Sequence, residues 1–206
     1  VNAPNVIAQP KVQWRMPTMW TPANDVLLNN AEVFAKTVSD VTGGRFTIKV
    51  FSAGELMPAT GVFDGCANGS VEMFNGGSYY WAGKEPAMQW FTGLPFGLNA
   101  QGYYSWFNHD EGLKLMAETY APFGLVPRPG TATNPQMAGW FRRKLNSIDD
   151  LKGLKIRIPG IGGKVYASAG SAVVLLPPGE IYTALERSTI DAVEFGDGQS
   201  AIARSR

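Results

Sequence analysis

The side chains able to do covalent chemistry are scarce in this chain of 206 residues, which has one histidine and one cysteine. His109, in Phe107-Asn108-His109-Asp110, stands just ahead of an amphipathic helical stretch. It reads as a polar residue near a helix start, because a histidine acts as a base only beside a positioned nucleophile or substrate proton. Cys66, in Phe63-Asp64-Gly65-Cys66-Ala67, falls on an apolar helical face, where a small buried hydrophobe is the expected role. A lone cysteine closes no internal disulfide and is compatible with cytosol and periplasm alike. CxxC, HExxH, GxSxG and Walker A patterns are missing from the sequence, which weakens hydrolases, zinc enzymes and nucleotide enzymes. The nearest phosphate-loop candidate, Gly160-Ile161-Gly162-Gly163-Lys164, has neither the dinucleotide-loop nor the Walker spacing and reads as a glycine turn into a helix.

Composition narrows the partners. Lys and Arg number 18 against 17 Asp and Glu, a net charge of +1, so there is no basic footprint for nucleic acid and no long-range pull toward anionic lipid. With 45% hydrophobic and 17% charged residues the chain is that of a soluble globular protein, with material for one large domain or two small ones. It contains no run of about 18 apolar residues, so nothing in it is expected to span a bilayer. No basic and apolar leader precedes the first strand pattern, and any export signal is expected to have been removed or never to have existed.

The elements that must position a site alternate along the chain. Val12 to Met16 alternates like a half-buried strand; Asn24 or Asp25 is placed to cap a helix running to Gly43-Gly44; Arg45 to Phe51 alternates again. Pro58 to Asn68 reads as a short helix, Val71 to Phe74 as a strand, and Gln101 to Tyr120 as a helix. Pro122 to Pro135 has the composition of a connection, and a domain crossing is expected there. Beyond it come a strand over Gln136–Phe141, a Ser147-capped turn, a strand over Leu154–Ile158, a helix over Gly163–Ala169, and a strand over Ala172–Leu176. A helix over Pro178–Arg187 and a strand over Ile190–Phe195 follow. Such alternation argues for parallel α/β sheets, in which ligands collect beyond the carboxyl ends of the strands.

The run Trp140-Phe141-Arg142-Arg143-Lys144, Ser147 to Gly153, Leu154 to Gly160 and Pro178 to Phe195 resembles the substrate-binding subunit of tripartite ATP-independent periplasmic (TRAP) transporters, nearest the branch that binds 2-oxo acids. The likeness extends over nearly the whole chain up to Phe195 and includes Gly43-Gly44-Arg45-Phe46 and Leu94-Pro95-Phe96-Gly97-Leu98. It implies a periplasmic solute-binding fold with two α/β lobes around a ligand cleft, the first over residues 1–133 and the second, partial, over 134–195. In the family the chain then passes back through both lobes, which Gly196 to Arg206 does not resemble; the C-terminal part reads as missing or diverged.

The same resemblance assigns roles. Arg157 matches the family arginine whose fork pairs with a ligand carboxylate, a two-point contact that lysine does not make. By its flanks, Ile156 and Ile158, it is otherwise an outward-facing member of an alternating strand. Gln136, Glu194 and the backbone oxygen of Phe195 match positions that hold a cation, Na⁺ or Ca²⁺, beside the ligand, with oxygen donors suited to a hard ion. The family has Trp where Phe195 stands. Trp20, Tyr79, Tyr80, Trp81 and Phe96 crowd into loops and are expected to line the pocket, with Tyr79 or Tyr80 offering a hydroxyl. The implied function is non-enzymatic capture of a small monocarboxylate, a 2-oxo acid such as pyruvate or a related hydroxy acid, for TRAP membrane subunits in the periplasm. Exchange of helices between protomers, known in this branch, also allows a homodimer. The rival is a metal-assisted lyase or isomerase in the same cleft, which needs a general acid or base there.

Overall fold

A computed structural model describes residues 10–109, 111–133 and 135–196. The first sheet pairs β1 (Val12–Pro17) in parallel with β2 (Phe46–Phe51), in register from Val12↔Phe46 to Pro17↔Phe51. Parallel neighbours need a crossover, and α1 (Asp25–Val41) supplies it, burying Ala31 and Ala35. The expected cap at Asn24 is not made. Its Oδ1 accepts instead from the Thr21 N–H at 3.0 Å and Oγ1 at 3.1 Å, closing the loop ahead of the helix.

The strand expected over Val71–Phe74 contracts to one parallel bridge, Thr18↔Asn75. A side chain takes the place of the ladder: Glu72 Oε2 accepts the Arg15 backbone N–H at 2.8 Å, and its carboxylate also accepts from Arg15 Nε at 3.1 Å and Nη2 at 2.6 Å. The short helix expected after Pro58 forms as a 3₁₀ turn leading into α2 (Val62–Ala67). The single helix expected over Gln101–Tyr120 is two, α3 (Ala100–His109) and α4 (Gly112–Tyr120). Gly112 permits the break, since a Cβ on it would lie 2.6 Å from the Trp106 ring. His109 is thus the exposed last residue of α3, and Cys66 is half-buried in α2. The core of this part is aromatic. Phe63, fully buried, has the rings of Trp81, Tyr120 and Phe123 at centroid distances of 5.3, 6.0 and 5.1 Å.

Residues 125–133 and 135–139 carry no helix or strand. The second sheet follows, in the order β3-β6-β4-β5: β3 (Trp140–Phe141), β4 (Lys155–Arg157), β5 (Ala172–Val174) and β6 (Ala192–Val193). α5 (Gly160–Ser168) joins β4 to β5, and α6 (Ile181–Glu186) joins β5 to β6. β4 pairs in parallel with both β5 and β6, as expected, whereas β3 is antiparallel to β6, so the sheet is mixed. Ser147 forms the anticipated cap, reciprocated by Asp150. The strands expected from Gln136 and through Phe195 are shorter: Gln136 lies before β3 and Glu194 and Phe195 after β6. The lobe boundary at Asn134 and the tail from Asp197 to Arg206 lie outside the described residues.

Candidate functional site

Three parallel strands deliver their carboxyl ends to one place. Arg157 is the last residue of β4, Glu194 follows β6, and Leu176 lies two residues beyond β5. Register fixes the first two as neighbours: Arg157 faces Val193, and the Glu194 N–H donates to the Arg157 carbonyl at 2.8 Å. Arg157 is the largest fully buried side chain among the described residues, with an exposure of 0%. The outward-facing alternative left open by its flanks is therefore overturned. The carboxyl end of the strand turns the side chain inward, where acceptors wait for it.

Its guanidinium is held from three sides. Nε donates to the Leu176 carbonyl at 3.0 Å, Nη1 to the Glu194 carbonyl at 2.7 Å, and Nη2 to the Tyr80 hydroxyl at 2.6 Å. A guanidinium has five N–H donors, so one on each terminal nitrogen is left, the pair that a carboxylate's two oxygens fit. The rings of Tyr80 and Phe195 face the charge at 5.8 and 5.2 Å. Leu176 was not legible as a site residue, because a backbone carbonyl leaves no signal in side-chain type.

Glu194 Oε2 lies 4.0 Å from Arg157 Nη1, and the side chain is 13% exposed. Burial raises the Glu194 pKa above the usual carboxylate range, and Arg157 only partly opposes that. Among the described residues the carboxylate accepts no hydrogen bond, and neither does the Phe195 carbonyl. Two under-used oxygen donors side by side, one of them anionic, fit a hard cation. Gln136 is not gathered with them. It is exposed, and its Nε2 donates to Thr133 Oγ1 at 3.3 Å, which leaves its carbonyl oxygen for other use.

The tyrosines come from the first part of the chain, on the 3₁₀ turn Ser78–Trp81 that follows the Thr18↔Asn75 bridge. Their rings are 4.6 Å apart. Burial pushes the Tyr79 phenol well above its ordinary range and raises that of Tyr80, so both keep their protons at neutral pH. Three expected pocket residues are placed elsewhere. Trp20 is in the aromatic core, its Nε1 donating to Asn75 Oδ1 at 2.5 Å, because the chain turns inward after the bridge. Phe96 stands fully in solvent, on a backbone with a positive φ of 59°. Trp81 is likewise a core residue.

Comparison with known proteins gives three close relatives. The monocarboxylate 2-oxoacid-binding periplasmic protein of Nostoc sp. is 46% identical over 186 residues, 90% of this chain and 51% of its own. The structure of a TRAP periplasmic solute-binding protein from Pseudoalteromonas atlantica, with bound sodium and pyruvate, is 40% identical and superposes with a TM-score of 0.91, over 95% of this chain and 59% of that one. That of a TRAP transporter solute-binding protein from Bordetella bronchiseptica, a dimer with calcium and picolinate in its occupied site, is 39% identical with a TM-score of 0.88, over 91% and 56% of the two chains. The chain spans about half the length of the curated relatives it matches. The family model for bacterial extracellular solute-binding protein, family 7, matches residues 18–196, and with a mixed α/β fold that follows the solved TRAP proteins this closely, the chain belongs to that family, DctP.

Proposed function

We propose that the protein captures a small monocarboxylate, a 2-oxo acid such as pyruvate or a related 2-hydroxy acid, between two lobes and delivers it unchanged to TRAP membrane subunits at the periplasmic face of the membrane. The observation that carries this reading is the Arg157 guanidinium, fully buried, fixed by three protein acceptors, and left with one N–H on each terminal nitrogen. The Glu194 carboxylate, at 4.0 Å, offers the buried guanidinium a charge but no hydrogen bond, so a ligand carboxylate would be the anion that pairs with it directly. A carboxylate on that fork would lie near the Glu194 carboxylate, and two like charges there favour a cation between them. Glu194 and the Phe195 carbonyl, joined by Gln136 if its amide turns inward, would hold it, and the ion would supply charge neutralisation and a contact to ligand oxygen. The relatives with calcium and picolinate, and with sodium and pyruvate, support the pairing of ligand and cation. The Bordetella relative supports a homodimer as the assembled form.

Titration calorimetry with pyruvate in Na⁺, in Ca²⁺ and in chelator tests the reading. Affinity that depends on cation, with pyruvate recovered chemically intact after long incubation, is the expected result. Turnover of the ligand would replace capture by catalysis, and indifference to cation would remove the ion from the site.

A further inference from the structure

Among the described residues the first part of the chain and the second share neither a strand nor an apolar cluster. The two sheets are separate, the cluster around Phe63 draws on residues 19–125, and the other two clusters draw on residues 140–195. Parts that meet without a large apolar interface are free to move against each other. The contacts that cross between them include the Arg157–Tyr80 hydrogen bond at 2.6 Å and two places where backbone without a side chain is seated against the first part. A Cβ on Gly160 would lie 3.4 Å from the Tyr79 Cβ, and a Cβ on Gly179 would lie 3.1 Å from the Thr21 Cγ2.

The Thr21–Gly179 contact stands apart from the guanidinium yet is tied to it on one side. Gly179 lies in the 3₁₀ turn Pro178–Glu180, three residues beyond the Leu176 carbonyl that accepts from Arg157. Thr21 is held rigidly. Asn24, 5% exposed, commits its Oδ1 to the Thr21 N–H at 3.0 Å and Oγ1 at 3.1 Å, leaving α1 without a side-chain cap, and its own N–H donates to the Thr21 carbonyl at 2.8 Å. With the hydroxyl engaged by Asn24 the rotamer is set, and the methyl is the group that meets Gly179. The Gly179 backbone is outside the left-handed region, so its conformation does not demand glycine. Closeness to Thr21 does, because 3.1 Å is inside ordinary carbon–carbon contact.

We propose that Thr21, held by Asn24, and Gly179 form the contact that sets how closely the two parts shut over a carboxylate on Arg157, which makes both of them positioning residues for a ligand they do not touch. The inference rests on the capture reading above and adds to it where closure is limited. A side chain at Gly179 holds the parts further apart. A ligand that needs Arg157 from one part and the tyrosines from the other then binds a state that is less populated, and its apparent affinity falls.

Calorimetry with pyruvate and with lactate, in Ca²⁺ and in Na⁺, on wild type, Gly179→Ala, Thr21→Ser and the double variant tests this. Thr21→Ser removes the methyl and keeps the hydroxyl for Asn24. Gly179→Ala is expected to weaken pyruvate binding about fivefold or more, the low end for a crowded contact. Thr21→Ser alone should stay within about twofold of wild type, and in the double variant it should restore affinity to within about twofold. Wild-type affinity in Gly179→Ala, or a loss that Thr21→Ser does not relieve, overturns the proposal and leaves the capture reading standing. A fall in the ligand-free melting temperature of Gly179→Ala that Thr21→Ser relieves makes this a contact of folding rather than of closure, and overturns it too. Wild type that binds neither pyruvate nor lactate removes both the proposal and the reading beneath it. Should Gly179→Ala not fold, a crystal structure of wild type with pyruvate decides, and a Thr21 methyl more than about 4.5 Å from Gly179 counts against the proposal.

Discussion

Replacing Arg157 by lysine separates what the guanidinium does for the ligand from what it does for the fold. Lysine keeps the charge but concentrates it on one nitrogen that cannot reach the Leu176 carbonyl, the Glu194 carbonyl and the Tyr80 hydroxyl together. At the ligand, a two-point charged contact becomes a single one, a loss of about 1.5 to 3 kcal/mol, or about 10- to 150-fold in Kd. In the ligand-free protein one or two of the three acceptors lose a buried donor, at about 1 to 3 kcal/mol each. Arg157→Lys is therefore expected to weaken folding as well as binding. Flanking residues alone suggest a fold that tolerates the change; the three internal bonds are the reason it does not. Titration with pyruvate at saturating cation gives the first quantity and urea unfolding the second, both on the same preparation. A folded Arg157→Lys protein with wild-type affinity would refute the carboxylate fork, and unchanged stability would refute the account of the internal bonds.

Glu194→Gln should abolish the dependence of ligand affinity on cation. The Glu194 pKa is raised by burial, so its contribution to stability is present below the ordinary glutamate range and lost as pH rises through its folded value; the glutamine variant should melt higher than wild type at neutral pH without ligand. Gln136→Ala should reduce the cation dependence less. Glu72 behaves oppositely, held down to about 2 by hydrogen bonds from Arg15: its contribution is present above the ordinary range and lost as pH falls through about 2. The melting difference between wild type and Glu72→Gln, followed by circular dichroism, should be steady at neutral pH and vanish in strong acid. Gly76→Ala would place a Cβ 2.8 Å from the Trp81 ring and 3.0 Å from Met19, and should cost about 1 to 3 kcal/mol in urea unfolding.

Legibility followed side-chain pattern. The β1–α1–β2 unit, β4 and β5 were readable from alternation and helical spacing, because each buries one regular face. The alternation at Val71–Phe74 predicts a strand whose bonds are not made: the Glu72 carboxylate takes the Arg15 N–H, and one bridge, Thr18↔Asn75, remains. The break between α3 and α4 hides in Gly112, a residue whose use depends on where Trp106 comes to rest. At the site, no periodicity distinguishes Arg157 from a surface arginine; only the family likeness marks it. The burial of Arg157, its bonds to the carbonyls of Leu176 and Glu194, and the seat of Gly179 against Thr21 depend on contacts between residues far apart in sequence.

The charge balance of the site explains why those contacts matter together. Arg157 and Glu194 form a neutral pair at 4.0 Å, too long for a direct hydrogen bond, so Glu194 does not saturate the guanidinium and keeps an elevated pKa despite the positive charge beside it. The three internal bonds fix the guanidinium in advance, so the ordering of a long side chain is not charged against ligand binding. A ligand carboxylate that takes the open fork turns the neutral pair into a cluster with one excess negative charge in a poorly solvated place. Either a proton on Glu194 or a cation on its oxygens would restore neutrality, and burial favours the neutral form of the carboxyl. In the proposed site, ligand, cation and proton would thereby be linked through one carboxylate, and reciprocity would require that each shift the affinity of the others.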